Sequence, residues 1–251
     1  MADQGQWRNA FLVLGVVGLL YTIPYFLFLR NVEENKPVQV IKTTKIPGFR
    51  VLFKVKTFLL LCVVFPIFVF GLWLLYGWFP TFLHDKFFLN QSGAALNATI
   101  FIQGPTLIGL LGGGVIADAM YRYTKASRLW LLTASLILCA PFLHALGSSD
   151  TLTTTRIAAM GFGLFSGFMM GNIFPAAFDV VAVDTRASAV GFLNFFGAIM
   201  SGFATLFGGI DGLLSLTAIA YMFAGIALIV GIKMLFPKDY KAEHAELEVL
   251  N

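Results

Sequence analysis

The sequence predicts an all-α membrane protein of about seven transmembrane helices, six of which belong to one bundle. Three observations carry this. Of the 251 residues, 58% are hydrophobic and only 12% are charged, about half the charge that covers a soluble domain. Mean hydropathy is +0.83. The apolar residues also gather into seven long runs separated by polar gaps that hold most of the basic residues.

The runs cover residues 11–29, 57–83, 96–117, 129–146, 157–180, 187–207 and 213–236. Each approaches or exceeds the roughly 20 residues that cross a hydrocarbon core at about 1.5 Å per residue. Lipid offers the backbone no hydrogen-bond partner, so runs of this length are expected to be helical. Strands would need alternating segments of about ten residues, and the sequence has none. The 27 Phe and 25 Gly suit lipid-facing bulk and close helix approach respectively. The first run is too long for a secretory signal and lacks a small-residue cleavage pattern.

The gaps set the orientation. Of the 17 Lys and Arg, Arg8, Lys86 and Arg156 fall on one side of the alternating spans and the other 14 on the opposite side. The positive-inside rule then places the N-terminus outside and the C-terminus in the cytoplasm of a plasma or bacterial inner membrane. Net charge is +4, and this placement of the basic residues accounts for it without a nucleic-acid partner. Residues 1–29 read as one detached helix, 30–56 as a basic cytoplasmic linker with room for a short surface helix, 57–236 as a six-helix bundle, and 237–251 as a free polar tail.

Four stretches resemble the major facilitator superfamily. The opening WRNAFLVLGVVGLLY is similar to the family's sixth helix. WFPTFL at residues 78–83 resembles the outer end of the seventh. GGGVIADAMYR at 112–122 resembles the loop signature, and TRASAVGFLNFFG at 185–197 resembles the entry to the eleventh. The resemblance implies a C-terminal half-bundle of two inverted three-helix repeats, preceded by the last helix of a missing N-terminal half. It further implies secondary transport of a small solute by alternating access, with the missing half or a second half-transporter as partner. The chain departs from the signature at Ala119, where a basic residue normally follows the aspartate. WFPTFL and the stretch around Asn194 bear a faint likeness to organic-anion and sugar-related branches.

Candidate site residues follow from the same segments. In the loop signature, Gly114 precedes Asp118 by four residues, and Arg122 lies within i,i+4 reach of that carboxylate. By resemblance such a cluster latches two halves together; the plain alternative is a solvated loop charge. In the sixth run, Ala187, Gly191, Asn194, Ala198, Ser201, Gly202, Thr205 and Gly209 share one helical face, with Phe192, Phe196, Phe203 and Phe207 on the other. The small face suits either close packing or a cavity into which Asn194 projects. The second and fifth runs occupy equivalent repeat positions and carry the breakers Pro66, Gly77, Gly167 and Gly171, the pattern of helices that flex around a midplane site. Phe70, Trp73 and Tyr76 follow helical spacing on the second. Gln103 and Asn172 are amides at membrane depth, which need a protein partner or a wet cavity.

No Lys, Arg, Asp or Glu lies near the middle of any run, so charged coupling groups are expected in the absent half. Motifs for zinc hydrolysis, nucleophilic serine and phosphate binding are missing, and no enzyme activity, cofactor or metal is expected. Cys62 and Cys139 both lie inside apolar runs. Asn90-Gln-Ser and Asn97-Ala-Thr match the glycosylation sequon by pattern alone. The rival readings are a seven-helix receptor and an inert membrane fragment, and inverted internal symmetry separates a transporter half from the receptor.

Overall fold

The computed structural model describes residues 6–30, 51–207 and 212–240. Its helices are α1 (Gln6–Arg30), α2 (Lys56–Phe87), α3 (Gln91–Tyr121), α4 (Ser127–Ser148), α5 (Leu152–Phe178), α6 (Arg186–Leu206) and α7 (Leu213–Met234). All seven contain a window long and apolar enough to cross a membrane. Two units are present, Met1–Ile46 and Pro47–Asn251. The first contains α1, which is apolar around its whole circumference and exposes every side chain described on it. Most of the expected linker lies outside the described residues. Its end does not hang free, because Leu52 is 1% exposed within the bundle core.

The second unit is a six-helix bundle. Helix α3 packs chiefly on α5, α4 on α5 and α7, and α2 on α6 and α7. Exchanging the triplet α2–α3–α4 for α5–α6–α7 maps this pattern onto itself: the α3–α5 pair becomes α6–α2, the α4–α5 pair becomes α7–α2, and α4–α7 is unchanged. Equivalent helices stand three positions apart in the order of spans, an odd step, so the two triplets run in opposite senses. This is the inverted repeat that a receptor lacks.

Glycine decides how closely the two triplets approach. Along α5, Gly163, Gly167 and Gly171 recur every four residues and face α3. A Cβ at Gly163 would strike the Ile102 carbonyl, one at Gly167 the Thr106 carbonyl, and one at Gly171 would lie 2.9 Å from the Leu110 carbonyl. From the opposite side, a Cβ on Gly109 would strike the Leu164 carbonyl. Lipid tails are as apolar as leucine, so this backbone-to-backbone contact, and not hydrophobic burial, holds the pair. Gly167 and Gly171 thus act as packing positions in a continuous helix. The carbonyls they face, those of Thr106 and Leu110, belong to α3.

Helix α2 is likewise continuous through Pro66 and Pro80. Pro66 is buried, while Gly77 is exposed and a Cβ there would meet nothing within 4 Å. Gly71 admits the fully buried Tyr221, whose hydroxyl donates to the Phe68 carbonyl at 2.6 Å. At the opposite end from the basic residues, Asn90 caps α3 by accepting from Gly93 N at 2.7 Å, and Thr151 caps α5 by accepting from Thr154 N. Asn97 is committed as well: it donates to the Gly93 carbonyl and accepts from Arg156 Nε at 2.7 Å.

Gly167→Ala is expected to lower stability by about 1–3 kcal/mol, as overpacking does. Gly104→Ala, where a Cβ would meet nothing within 4 Å, should be neutral or gain up to about 1 kcal/mol from helix propensity. Thermal unfolding of the detergent-solubilised chain distinguishes the two.

Candidate functional site

A cavity of about 440 Å³ opens between α2, α5 and α6. Helix α2 contributes Phe65 and Trp73, α5 contributes Met170 and Phe174, and α6 contributes Asn194 and Ser201. The packing of α6 explains why its polar residues reach this space. It buries Ala189, Leu193, Gly197 and Ala204, at helical spacings of four and seven residues, and seats Gly197 against α2. A Cβ there would lie 3.1 Å from the Phe65 ring. Gly191, Asn194, Ala198, Gly202 and Thr205 consequently remain exposed. The small face read from the sequence is therefore not used for packing within this bundle. Gly209 lies outside the described residues. Of the aromatics expected opposite, Phe192 is half-buried and meets Phe53 edge-on at 5.2 Å, while Phe203 and Phe207 are exposed.

Hydrogen bonding along this face of α6 is uneven. Ser201 donates to the Ala198 carbonyl at 2.8 Å and Thr205 to the Gly202 carbonyl at 2.7 Å. Their donors are engaged in their own helix, and their oxygen lone pairs remain open as acceptors. The Asn194 amide has no hydrogen-bond partner among the described residues. It supplies two donors and an acceptor at membrane depth, and Trp73 of α2, 45% exposed, lines the same cavity.

The three aromatics on α2 separate. Steps of three residues drift about 60° around a helix of 3.6 residues per turn. Tyr76 falls toward α3 and donates to Gln103 Oε1 at 3.4 Å. Trp73 meets Tyr76 edge-on with ring centroids 6.2 Å apart, so Trp73, Tyr76 and Gln103 form one patch that adjoins the cavity. Phe70 falls the other way. It lines a separate apolar groove of about 490 Å³ with Phe203, Phe207 and Leu216 and is not brought to the cavity. Neither is Asn172. Its side chain is 2% exposed, donates to the Phe168 carbonyl at 2.9 Å and lies against Gly113 in the α3–α5 seam. Its partner is its own helix, so no wet cavity is needed.

The loop signature is arranged differently from the expectation. Helix α3 ends at Tyr121, and Arg122 is its exposed C-cap residue, still in the helical region of φ and ψ. Arg128, at the start of α4, is the cation that pairs with Asp118, reaching its Oδ1 at 3.4 Å and Asp179 Oδ1 at 2.6 Å. It joins the ends of α3 and α5. Gly114 is half-exposed, and a Cβ there would meet nothing within 4 Å. Nearby, the Lys125 ammonium lies 4.1 Å from the Tyr121 ring centroid, and the Tyr121 and Tyr240 hydroxyls are 3.1 Å apart. Burial, the bond to Tyr121 and the charge of Asp179 push the Tyr240 phenol up to about 12, so it is protonated at neutral pH. Sequence reasoning missed Arg128, because nothing in the spacing marks the next helix as its source.

Residues 1–205 match the sequence model of the Major Facilitator Superfamily. The chain belongs to that superfamily. It is 24% identical to a hexuronate transporter of Bacillus subtilis (strain 168) over 94% of its own length and 60% of that protein's. It is also 24% identical to a probable L-galactonate transporter of Escherichia coli (strain K12) over 81% of its own length and 48% of that protein's. The chain thus spans about half to three-fifths of the curated relatives it matches. No solved structure gives a significant match. It is a multi-pass membrane protein whose six-helix unit is a major-facilitator half-bundle.

In this superfamily member the signature aspartate is tied to its own half-bundle by Arg128. Arg128→Ala is expected to cost roughly 1–2 kcal/mol, the value of charged hydrogen bonds after partial solvent screening. Arg122→Ala should stay within about 0.5 kcal/mol. Paired thermal melts of the two variants test the assignment.

Proposed function

We propose that this chain is one half of a secondary transporter that moves a small sugar-acid-like solute by alternating access. The observation that carries the proposal is the open cavity between α2, α5 and α6, lined by both the uncommitted Asn194 amide and the Trp73 ring. Its volume lies within the range of small-molecule sites. An aromatic face receives the apolar side of a sugar ring, and an amide with both donors and an acceptor reads hydroxyl groups. The names of the two relatives, a hexuronate transporter and a probable L-galactonate transporter, support the same solute class.

Among the described residues, α2, α5 and α6 wall the cavity. A second six-helix half, from the same longer polypeptide or from another, supplies the facing wall. No Lys or Arg lies near the middle of any span of this chain, so the cation that neutralises a solute carboxylate comes from that opposite half. Tyr76 and Gln103 extend the polar patch along the wall where the two halves meet. The basic end of the bundle faces the cytoplasm, in accord with the 14 basic residues gathered there.

Two measurements test this. In the intact carrier, Asn194→Ala is expected to raise KM for a hexuronate by about 3- to 10-fold, the equivalent of one neutral hydrogen bond, whereas Phe70→Ala leaves KM unchanged. Equal effects of the two variants exclude the cavity as the solute site. A cysteine at Tyr123, which is 91% exposed, is expected to react with an impermeant maleimide only from the cytoplasmic side. Labelling from outside reverses the topology.

A further inference from the structure

Helix α2 starts without a cap of its own. The residue before it is Val55, which makes no side-chain hydrogen bond to the helix, so the first backbone N–H groups of this cavity-lining helix need another acceptor. The acceptor comes from 182 positions along the chain. Asp239 Oδ2 accepts from Thr57 N at 2.7 Å and from Thr57 Oγ1 at 2.6 Å. Thr57 is the second residue of α2, where a cap side chain normally bonds, and a carboxylate is the group that the positive end of a helix dipole favours. Thr57 is 1% exposed, so water does not readily take the place of Asp239.

The rest of the segment is fixed in its own right. After α7 the chain turns at Leu235, whose N–H donates to the Gly231 carbonyl at 2.8 Å. Phe236 is 5% exposed in the core, and its ring centroid lies 5.2 Å from that of Tyr240. Tyr240 reaches Tyr121 at the end of α3. Residues 236–240 therefore join the ends of α7, α2 and α3, and the tail expected to be free from Pro237 onward is bound through its first four residues.

We infer that residues 236–240 form a clasp in which Asp239 is a positioning residue for α2, fixing where that helix starts and so where Trp73 stands in the cavity wall. The inference concerns the half-bundle itself and does not depend on which solute the cavity takes. It makes the acceptor on Asp239, rather than the bulk of the segment, responsible for order at the start of α2.

The two native cysteines report on it. Cys62 lies half-buried in α2, five residues beyond Thr57, and Cys139 is fully buried in α4. With the purified chain in lipid nanodiscs, Asp239→Leu is expected to speed maleimide labelling of Cys62 and amide exchange over residues 57–61. The rise should be roughly tenfold, equivalent to about 1.4 kcal/mol of local stability, with Cys139 unchanged. Asp239→Asn keeps one acceptor oxygen and should restore most of the protection. Unchanged labelling and exchange in α2 overturn the inference. So does a parallel rise at Cys139 in both variants, because it makes the segment a general support with no particular hold on α2. Failure of Asn to rescue also overturns it.

Discussion

The structure depends on a backbone that must satisfy itself, because hydrocarbon gives it nothing to bond. This is why α2, α3, α4 and α5 run unbroken through internal prolines. It is also why side chains that bond backbone inside the bundle mostly bond the carbonyl of their own preceding turn, as Thr106, Thr133, Ser135 and Thr217 do. With the helices self-sufficient and lipid as apolar as their surfaces, little remains to hold one helix to another except contact itself. Contact is closest where side chains are missing. Gly163, Gly167 and Gly171 on α5 and Gly109 on α3 bring two backbones together over about 12 Å of helix, and this seam is the closest backbone approach in the bundle.

The pseudo-symmetric counterpart of that seam, between α2 and α6, is built differently, and the cavity lies beside the difference. There a single glycine, Gly197, admits the Phe65 ring, and aromatic side chains stand where carbonyls stand on the other side. Rings cannot fill space as evenly as backbone against backbone. A volume therefore remains between α2, α5 and α6, and α6 turns its small and polar residues to it. Most other amides and charges at or near membrane depth are committed: Asn97 to Arg156, Asn172 to its own helix, Arg128 to two carboxylates and Asp239 to the start of α2. Asn194 is the exception among the described amides that line a cavity. An amide held out of hydrogen bonding costs free energy, and a water-filled or solute-filled space removes that cost.

The spans and the symmetry were legible because hydropathy is a property of the residues themselves. Their ends were less so. Helix α3 begins at Gln91, five residues before the apolar run, because Asn90 caps it there, and hydropathy does not register a polar first turn. The exposed face of α6 was legible for a similar reason: Asn194, Ala198 and Ser201 share one side of a helix wherever that helix is placed. What could not be read was which neighbour each face meets. Phe70, Trp73 and Tyr76 share a spacing, yet a drift of about 60° per step sends them to three different surroundings, a groove, the cavity and α3. Asn172 carried the same signal as Asn194, an amide inside a span, and differs only in facing Gly113. Arg122 is near Asp118 in sequence, but Arg128 is near it in space because α4 turns back immediately after a short loop. The Asp239–Thr57 contact joins residues 182 positions apart and leaves no trace in any local pattern.

These differences have one physical source, the direction in which a polar group can be satisfied. Near the basic end, charges find partners on adjacent helix termini within the same half, so Asp118, Arg128 and Asp179 close on one another and lend rigidity where the helices leave the membrane. At mid-depth no such partners exist, and a charge there would have to be matched across the cavity. A half-bundle with its charges at the rim and a neutral amide in the middle leaves no unmatched charge at mid-depth. A half carrying a lone cation at the centre would leave one, and an unmatched charge at that depth costs several kcal/mol. On the proposed reading, the wall this half supplies asks for no counter-charge across the cavity, whereas a cation in a facing half would depend on a counter-ion or solute to offset its burial.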